Sequence, residues 1–176
     1  VFLQTSLHGN TISLLPLTES DFEPLYNAAS DPLIWANHPS PNRYKYEDFC
    51  QWFESAIQSN STLVVRELAT GKVIGSSRYY EYDEGLSEVA IGYTFLICSH
   101  WGGATNSELK NLMLKHAFQK VETVWFHVDL RNIRSQKAME KIGAVLSHTA
   151  EKSLLGRVEK YRFYKIERKY FIKPAL

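Results

Sequence analysis

Thr123 to Leu130 is almost unbroken in apolar and aromatic side chains. A run that short, with two valines and two aromatics, reads as a strand, and its scarce polar alternation leaves it no face for water. It belongs inside a sheet that is covered on both faces. The rest of the chain offers the cover and the neighbouring strands. Thr11 to Leu17 reads as a first strand, ended by Pro16 and the polar run Thr18 to Asp21. Phe22, Leu25, Tyr26 and Ala29 then recur at helical spacing until Asp31-Pro32 stops them. Asn37 to Asn42 holds two prolines and is expected to be a loop. A second helix over Tyr46 to Gln58 carries Phe49, Trp52, Phe53, Ala56 and Ile57 on one side.

From Leu63 the period changes. Leu63 to Leu68 and Val73 to Tyr82 are rich in β-formers and flank the hairpin turn Ala69-Thr70-Gly71-Lys72. Asp83-Glu84-Gly85 makes the next turn, and Glu88 to Cys98 is a long strand interrupted by Gly92. Glycine weakens a strand interior and marks a bulge or a close approach. Thr105 to Gln119 and Asn132 to Ile142 read as helices, the second stopped by Gly143 as a left-handed cap. Ala144 to Ser153 and Val158 to Glu167 are two final strands. The order β-α-α-β-β-β-α-β-α-β-β predicts an α/β (α+β) fold: a mixed sheet with helices on its faces. No repeat or linker divides the chain, so one domain over residues 1–176 is expected.

Two segments carry candidate chemistry. Between the strand at Glu88 and the helix at Thr105 lies Ser99-His100-Trp101-Gly102-Gly103-Ala104. Small residues let the backbone turn without Cβ obstruction, and successive amides at a helix start form an anion site. Two glycines also serve plain turn geometry, and Thr105 with Glu108 has capping-box spacing. In the second segment Asn132 is an N-cap, while Arg131, Arg134 and Lys137 crowd a helix start that disfavours cations. An anionic ligand would resolve that conflict; exposed basic side chains are the plainer account.

Composition narrows the class. Residues 1–100 hold 5 Lys+Arg against 12 Asp+Glu, and residues 101–176 hold 15 against 7, so net charges of −7 and +8 nearly cancel. The split fits partners of opposite sign, or a solvated basic end from Arg157 to Lys173. Nucleic acid is not expected, since no binding motif is present and the aromatic residues there alternate as core strands do. The longest largely apolar run, Val89 to Cys98, is about half of the ~20 residues a spanning helix needs. Cys50 and Cys98 are isolated, without zinc or disulfide spacing, so no metal is expected. No secretory signal is read at the start, and a cytoplasmic protein is expected.

These features together resemble the GNAT superfamily of acetyl-CoA-dependent N-acetyltransferases, and most of all its Rim-type ribosomal-protein branch. The likeness rests on Leu14 to Phe22, Ile91 to Leu96, Trp101-Gly102-Gly103, Asn132 to Ser135 and Glu140 to Ala144. The family's phosphate signature Q/R-x-x-G-x-G/A falls on Ser99, Gly102 and Ala104, with Ser99 in place of the long polar residue.

The resemblance implies a mostly antiparallel sheet of about seven strands with about four helices and splayed central strands. It implies acetyl-CoA as co-substrate, with pantetheine pairing near Phe95 and Leu96. Pyrophosphate would lie on Gly102, Gly103, Ala104, Thr105 and Asn106, and Asn132 would touch the pantetheine. Gly92 would be the family's bulge. The tyrosine acid of many relatives corresponds to Met139, which donates no proton. Ser135 is expected near the leaving thiolate, or else is a helix-capping hydroxyl. Glu88 is the first choice for the base, with His127 read as more structural. The loop Trp35 to Pro39, with Arg43 and Tyr44, would line the acceptor pocket or pack as a lid. The expected activity is acetyl transfer to a primary amine, of a protein N-terminus or a small molecule. The alternative is a non-catalytic acyl-CoA sensor, and monomer and homodimer both stay open.

Overall fold

The computed structural model describes residues 2–154 and 156–171; Lys173 lies outside them. Eight strands form one sheet in the order β1-β2-β3-β4-β5-β6-β8-β7. They are β1 (Leu7–His8), β2 (Ile12–Pro16), β3 (Thr62–Glu67), β4 (Val73–Asp83), β5 (Glu88–Leu96), β6 (Thr123–Asp129), β7 (Val145–Leu154) and β8 (Arg157–Glu167). The helices are α1 (Phe22–Ala29), α2 (Pro32–Trp35), α3 (Tyr46–Gln58), α4 (Thr105–Ala117), α5 (Ile133–Lys141) and α6 (Arg168–Phe171). All neighbouring strands pair antiparallel except β5 and β6, which run parallel.

The apolar stripes explain the layers. On α4, Leu109, Met113 and Leu114 are fully buried in one cluster with Val65, Ile91, Val124 and Phe126. On the opposite face Leu25 of α1, Trp35 of α2, and Phe49 and Trp52 of α3 pack with Val64 and Phe95. Tyr79 is buried, and its hydroxyl donates to the Met113 carbonyl at 2.7 Å, tying β4 to the last turns of α4.

The expected mixed sheet with covering helices is present, with eight strands for about seven and six helices for about four. The surplus elements are the short β1, α2 and α6. Asp31-Pro32 does not only stop α1: the Asp31 carboxylate accepts from the Leu33 N–H at 2.9 Å and caps α2, with Pro32 in its first turn. The basic stretch from Arg157 is not a tail but β8, an internal strand between β6 and β7, on which Arg157 and Lys160 stay exposed.

β6 departs from the expected double burial. Val124, Phe126 and Val128 are buried, but Trp125 and His127, on the other face, are half-buried. Its parallel pairing with β5 is also short. It joins Glu88, Val89 and Ala90 to Thr123, Val124 and Trp125, and ends there. Beyond Ala90 the two strands part, leaving a wedge.

Gly75 shows how tightly β4 meets the far end of β5. A Cβ there would come within 2.0 Å of the Phe95 carbonyl oxygen, which is backbone and has nowhere to go. Gly75→Ala is expected to lower stability by about 1–3 kcal/mol in urea unfolding. An unchanged midpoint would show that β4 and β5 are not held in this register.

Candidate active site

The wedge opens into a cleft lined from both strands and both flanking helices. Gly92 to Leu96 of β5 form one wall and Phe126 to Asp129 of β6 the other. Lys110 of α4 and Ser135, Ala138 and Met139 of α5 close its length, and Trp101, Gly102 and Asn106 stand at one end.

The β5 wall is bulged. Ser76 faces Phe95 and Arg78 faces Gly92, so three steps on β5 oppose two on β4. The left-handed residue is Tyr93, at φ 51°, and not Gly92. Gly92 matters instead for what it lacks, because a Cβ on it would lie 2.9 Å from Cε1 of Tyr80. The missing methyl lets the Tyr80 ring lie against β5, where its hydroxyl reaches Nδ1 of His127 at 2.6 Å.

Burial dominates the ionisation of that pair. It raises the Tyr80 phenol well above its ordinary value, so Tyr80 keeps its proton near pH 7. It pushes His127 down to about 4, helped by the charges of Lys152 and His148. His38, on the rim, is pushed down to about 3 by burial and then by Arg43 and Arg134. Both rings are therefore neutral in the folded protein near pH 7.

At the loop end, Gly102 has φ 71°. Cβ atoms added to Gly102 or Gly103 would meet nothing within 4 Å, so this backbone is open on its outer side. Among the described residues the backbone N–H groups of Gly102 through Ser107 find no acceptor in the protein. The capping box expected from Thr105 and Glu108 is not formed. Thr105 is the first residue of α4 and its hydroxyl pairs with His100 Nδ1 at 2.9 Å. Glu108 is drawn off by Thr11, accepting its N–H at 2.8 Å and its hydroxyl as well. Free amides at a helix start are an anion site, so these residues fit a diphosphate.

At the start of α5, Asn132 is the predicted N-cap: its Oδ1 accepts from the Ser135 N–H at 3.2 Å. Ser135 is half-buried on the cleft wall, with no side-chain hydrogen bond among the described residues. The three cations are not alike. Arg131 forks onto Asp129 at 2.9 and 2.8 Å, and Arg134 stacks 3.6 Å over the Trp101 ring, so among the described residues only Lys137 stands free.

Of the residues singled out from sequence, Phe95, Leu96, Gly102, Asn106, Asn132 and Ser135 come together on the cleft; Gly103 and Ala104 belong to the adjoining loop, and Thr105 opens α4. Glu88 does not join them. It sits at the closed end of the wedge, opposite Thr123, and accepts from Trp125 Nε1 at 2.8 Å. In the loop after α2, His38 and Pro39 line the cleft, while Trp35, at the end of α2, is core, its Nε1 donating to the Ala29 carbonyl at 2.8 Å. Sequence reasoning misses Tyr80, Tyr93 and Lys110. Lys110 is legible in principle: it shares the helical repeat of Met113, Leu114 and Ala117, a core stripe where a lysine is out of place.

A family model described as an acetyltransferase (GNAT) domain matches residues 11–145. The chain belongs to the GNAT acetyltransferase family. As a member it is an acyltransferase, with acetyl-CoA as co-substrate. No curated protein matches the sequence. Solved structures do. A GCN5-related N-acetyltransferase from Brucella melitensis superposes with TM-score 0.80 at 18% identity, over 93% of this chain and 79% of that one. A GNAT-family acetyltransferase from Bacillus anthracis gives 0.77 at 17%, over 94% and 99%. The spermidine N-acetyltransferase of Vibrio cholerae, in complex with CoA and spermine, gives 0.72 at 16%, over 94% and 100%. At these identities the likeness is one of fold. Among the described residues no helix is long and apolar enough to cross a membrane.

The two depressed histidines set a pH dependence. Below pH 6.5 the unfolded chain protonates these imidazoles while the folded chain does not, so unfolding takes up protons. Stability should therefore fall as pH drops from about 6.5 towards 4. The His127 ring should keep the NMR shifts of a neutral imidazole across that range, and a midpoint near 6.5 would contradict its burial.

Proposed function

We propose that residues 1–176 act as one cytoplasmic N-acetyltransferase domain that moves the acetyl group of acetyl-CoA to a primary amine. The observation that carries this reading is the wedge: beyond Ala90 β5 has β4 but no longer β6 as a partner, and the loop that follows β5 carries the free amides of Gly102 to Ser107. An extended pantetheine arm can take up the unpaired edge of β5 at Phe95 and Leu96, as an added strand would. The diphosphate is then within reach of Gly102 to Asn106. The side-chain amide of Asn132, whose Oδ1 is committed to Ser135, has its NH2 left for the arm.

In the reaction the amine nitrogen attacks the thioester carbonyl, a C–N bond forms, and the C–S bond breaks. Backbone N–H groups of the bulge at Tyr93 and Thr94 are suited to hold the developing oxyanion. Glu88 is too far down the strand to serve as base. The Tyr80–His127 pair is the better candidate. Tyr80 can accept the amine's proton while passing its own to Nδ1, and a neutral imidazole is ready to receive it. Ser135 faces the cleft and supplies a hydroxyl for the leaving sulfur.

The acceptor is a protein N-terminus or a small amine. The Rim-type motifs support the first, and a polyamine acetyltransferase of the same fold supports the second.

One calorimetric and mass-spectrometric series tests the proposal. Acetyl-CoA should bind the wild type, and Gly102→Val, which forces a β-branched residue to φ 71°, should bind at least about tenfold more weakly. Incubated with N-terminal peptides and polyamines, the wild type should acetylate one class. With that acceptor, His127→Ala should lose about a hundredfold in turnover while Glu88→Gln loses little. No association with acetyl-CoA would overturn the assignment.

A further inference from the structure

The cleft contains a buried lysine with no part in the chemistry proposed so far. Lys110 is 3% exposed and lines the cleft from α4. Its Nζ donates to Thr94 Oγ1 at 2.5 Å, inside the bulged segment of β5. That hydroxyl lies 2.7 Å from Ser77 Oγ and 3.4 Å from the Gly92 carbonyl oxygen, so the ammonium sits against the bulge itself. The Phe126 ring of β6 lies 5.9 Å from Nζ on the facing wall. Among the described residues no carboxylate comes within ion-pair distance of Nζ, and no second acceptor bonds to it. A buried ammonium normally has an anion for a partner, because removing it from water costs several kcal/mol. This one has a hydroxyl, an aromatic face and the open cleft.

We infer that Lys110 is the cation that holds the CoA thiolate as it leaves. The inference rests on the acetyl-CoA reading and deepens it. When the C–S bond breaks, the electron pair stays on sulfur, and a group in the cleft must compensate that charge. Met139 cannot, being a buried thioether on the cleft wall. In its ammonium form Lys110 brings a positive charge from the opposite helix and can pass a proton to the sulfur, completing the exchange of one amine proton for one thiol proton. Burial holds its pKa down at about 7, below the ~8.5 of an ordinary thiol, so transfer from the ammonium to the thiolate runs downhill. Thr94 fixes the direction of Nζ, and Ser77 fixes Thr94.

The test needs no acceptor. Free CoA near neutral pH is mostly thiol. Bound to the wild type, its thiolate fraction, read by ultraviolet thiolate absorbance, should rise about tenfold. Lys110→Met should lose that rise yet still bind desulfo-CoA within about twofold of wild type, which reports an intact site. Lys110→Arg should restore most of it. Equal thiolate absorbance of CoA bound to wild type and to Lys110→Met would overturn the inference. So would loss of desulfo-CoA binding in Lys110→Met, or an acetyl group found on Lys110 by mass spectrometry. Failure of the wild type to bind CoA at all would instead sink the acetyl-CoA reading.

Discussion

The pairing of β5 with β6 runs for three residues and then stops, and almost everything functional follows from that break. A parallel strand pair left half-paired inside a sheet exposes backbone donors and acceptors where burial makes them costly. The fold does not fill the gap with another strand. It sets α4 and α5 on either side and lines the gap with Phe126, Met139, Lys110 and Tyr80. The bulge at Tyr93 turns β5 away from β6, and Gly92 keeps room for the ring that reaches across to His127.

Two kinds of binding energy are arranged along one line. At the loop, free main-chain amides and the start of α4 suit an anion without any side chain being required. Along β5, unpaired main-chain groups suit an extended chain with amides of its own. Farther along the cleft stand the groups suited to proton transfer: a neutral imidazole beside a phenol on one side, a buried lysine on the other. That division matches acetyl transfer, in which the carrier is recognised by its backbone-like arm and the charge develops at one sulfur and one oxygen.

Features set by neighbours along the chain are legible in the sequence. Asn132 as N-cap, Gly143 and Gly71 as left-handed turns, and the span of α3 all depend on local geometry that residue type decides. Features set by distant partners are not. Glu108 abandons its local cap because Thr11, 97 residues away, offers two donors. Glu88 reads as a cleft carboxylate, but the register of β5 against β6 puts it at the closed end under Trp125. Tyr80 and His127 meet across 47 residues and two strands that are not neighbours in the sheet, which no periodicity encodes.

Hydrogen exchange on β5 tests the central claim most directly. If the gap between β5 and β6 receives the pantetheine arm as a strand, adding acetyl-CoA should slow exchange at the amides from Thr94 to Leu96, with Val89 and Ala90, already paired, little changed. Binding that leaves the Thr94 to Leu96 amides exchanging at their free rate would show that the cofactor lies elsewhere and that the parted strands serve another purpose.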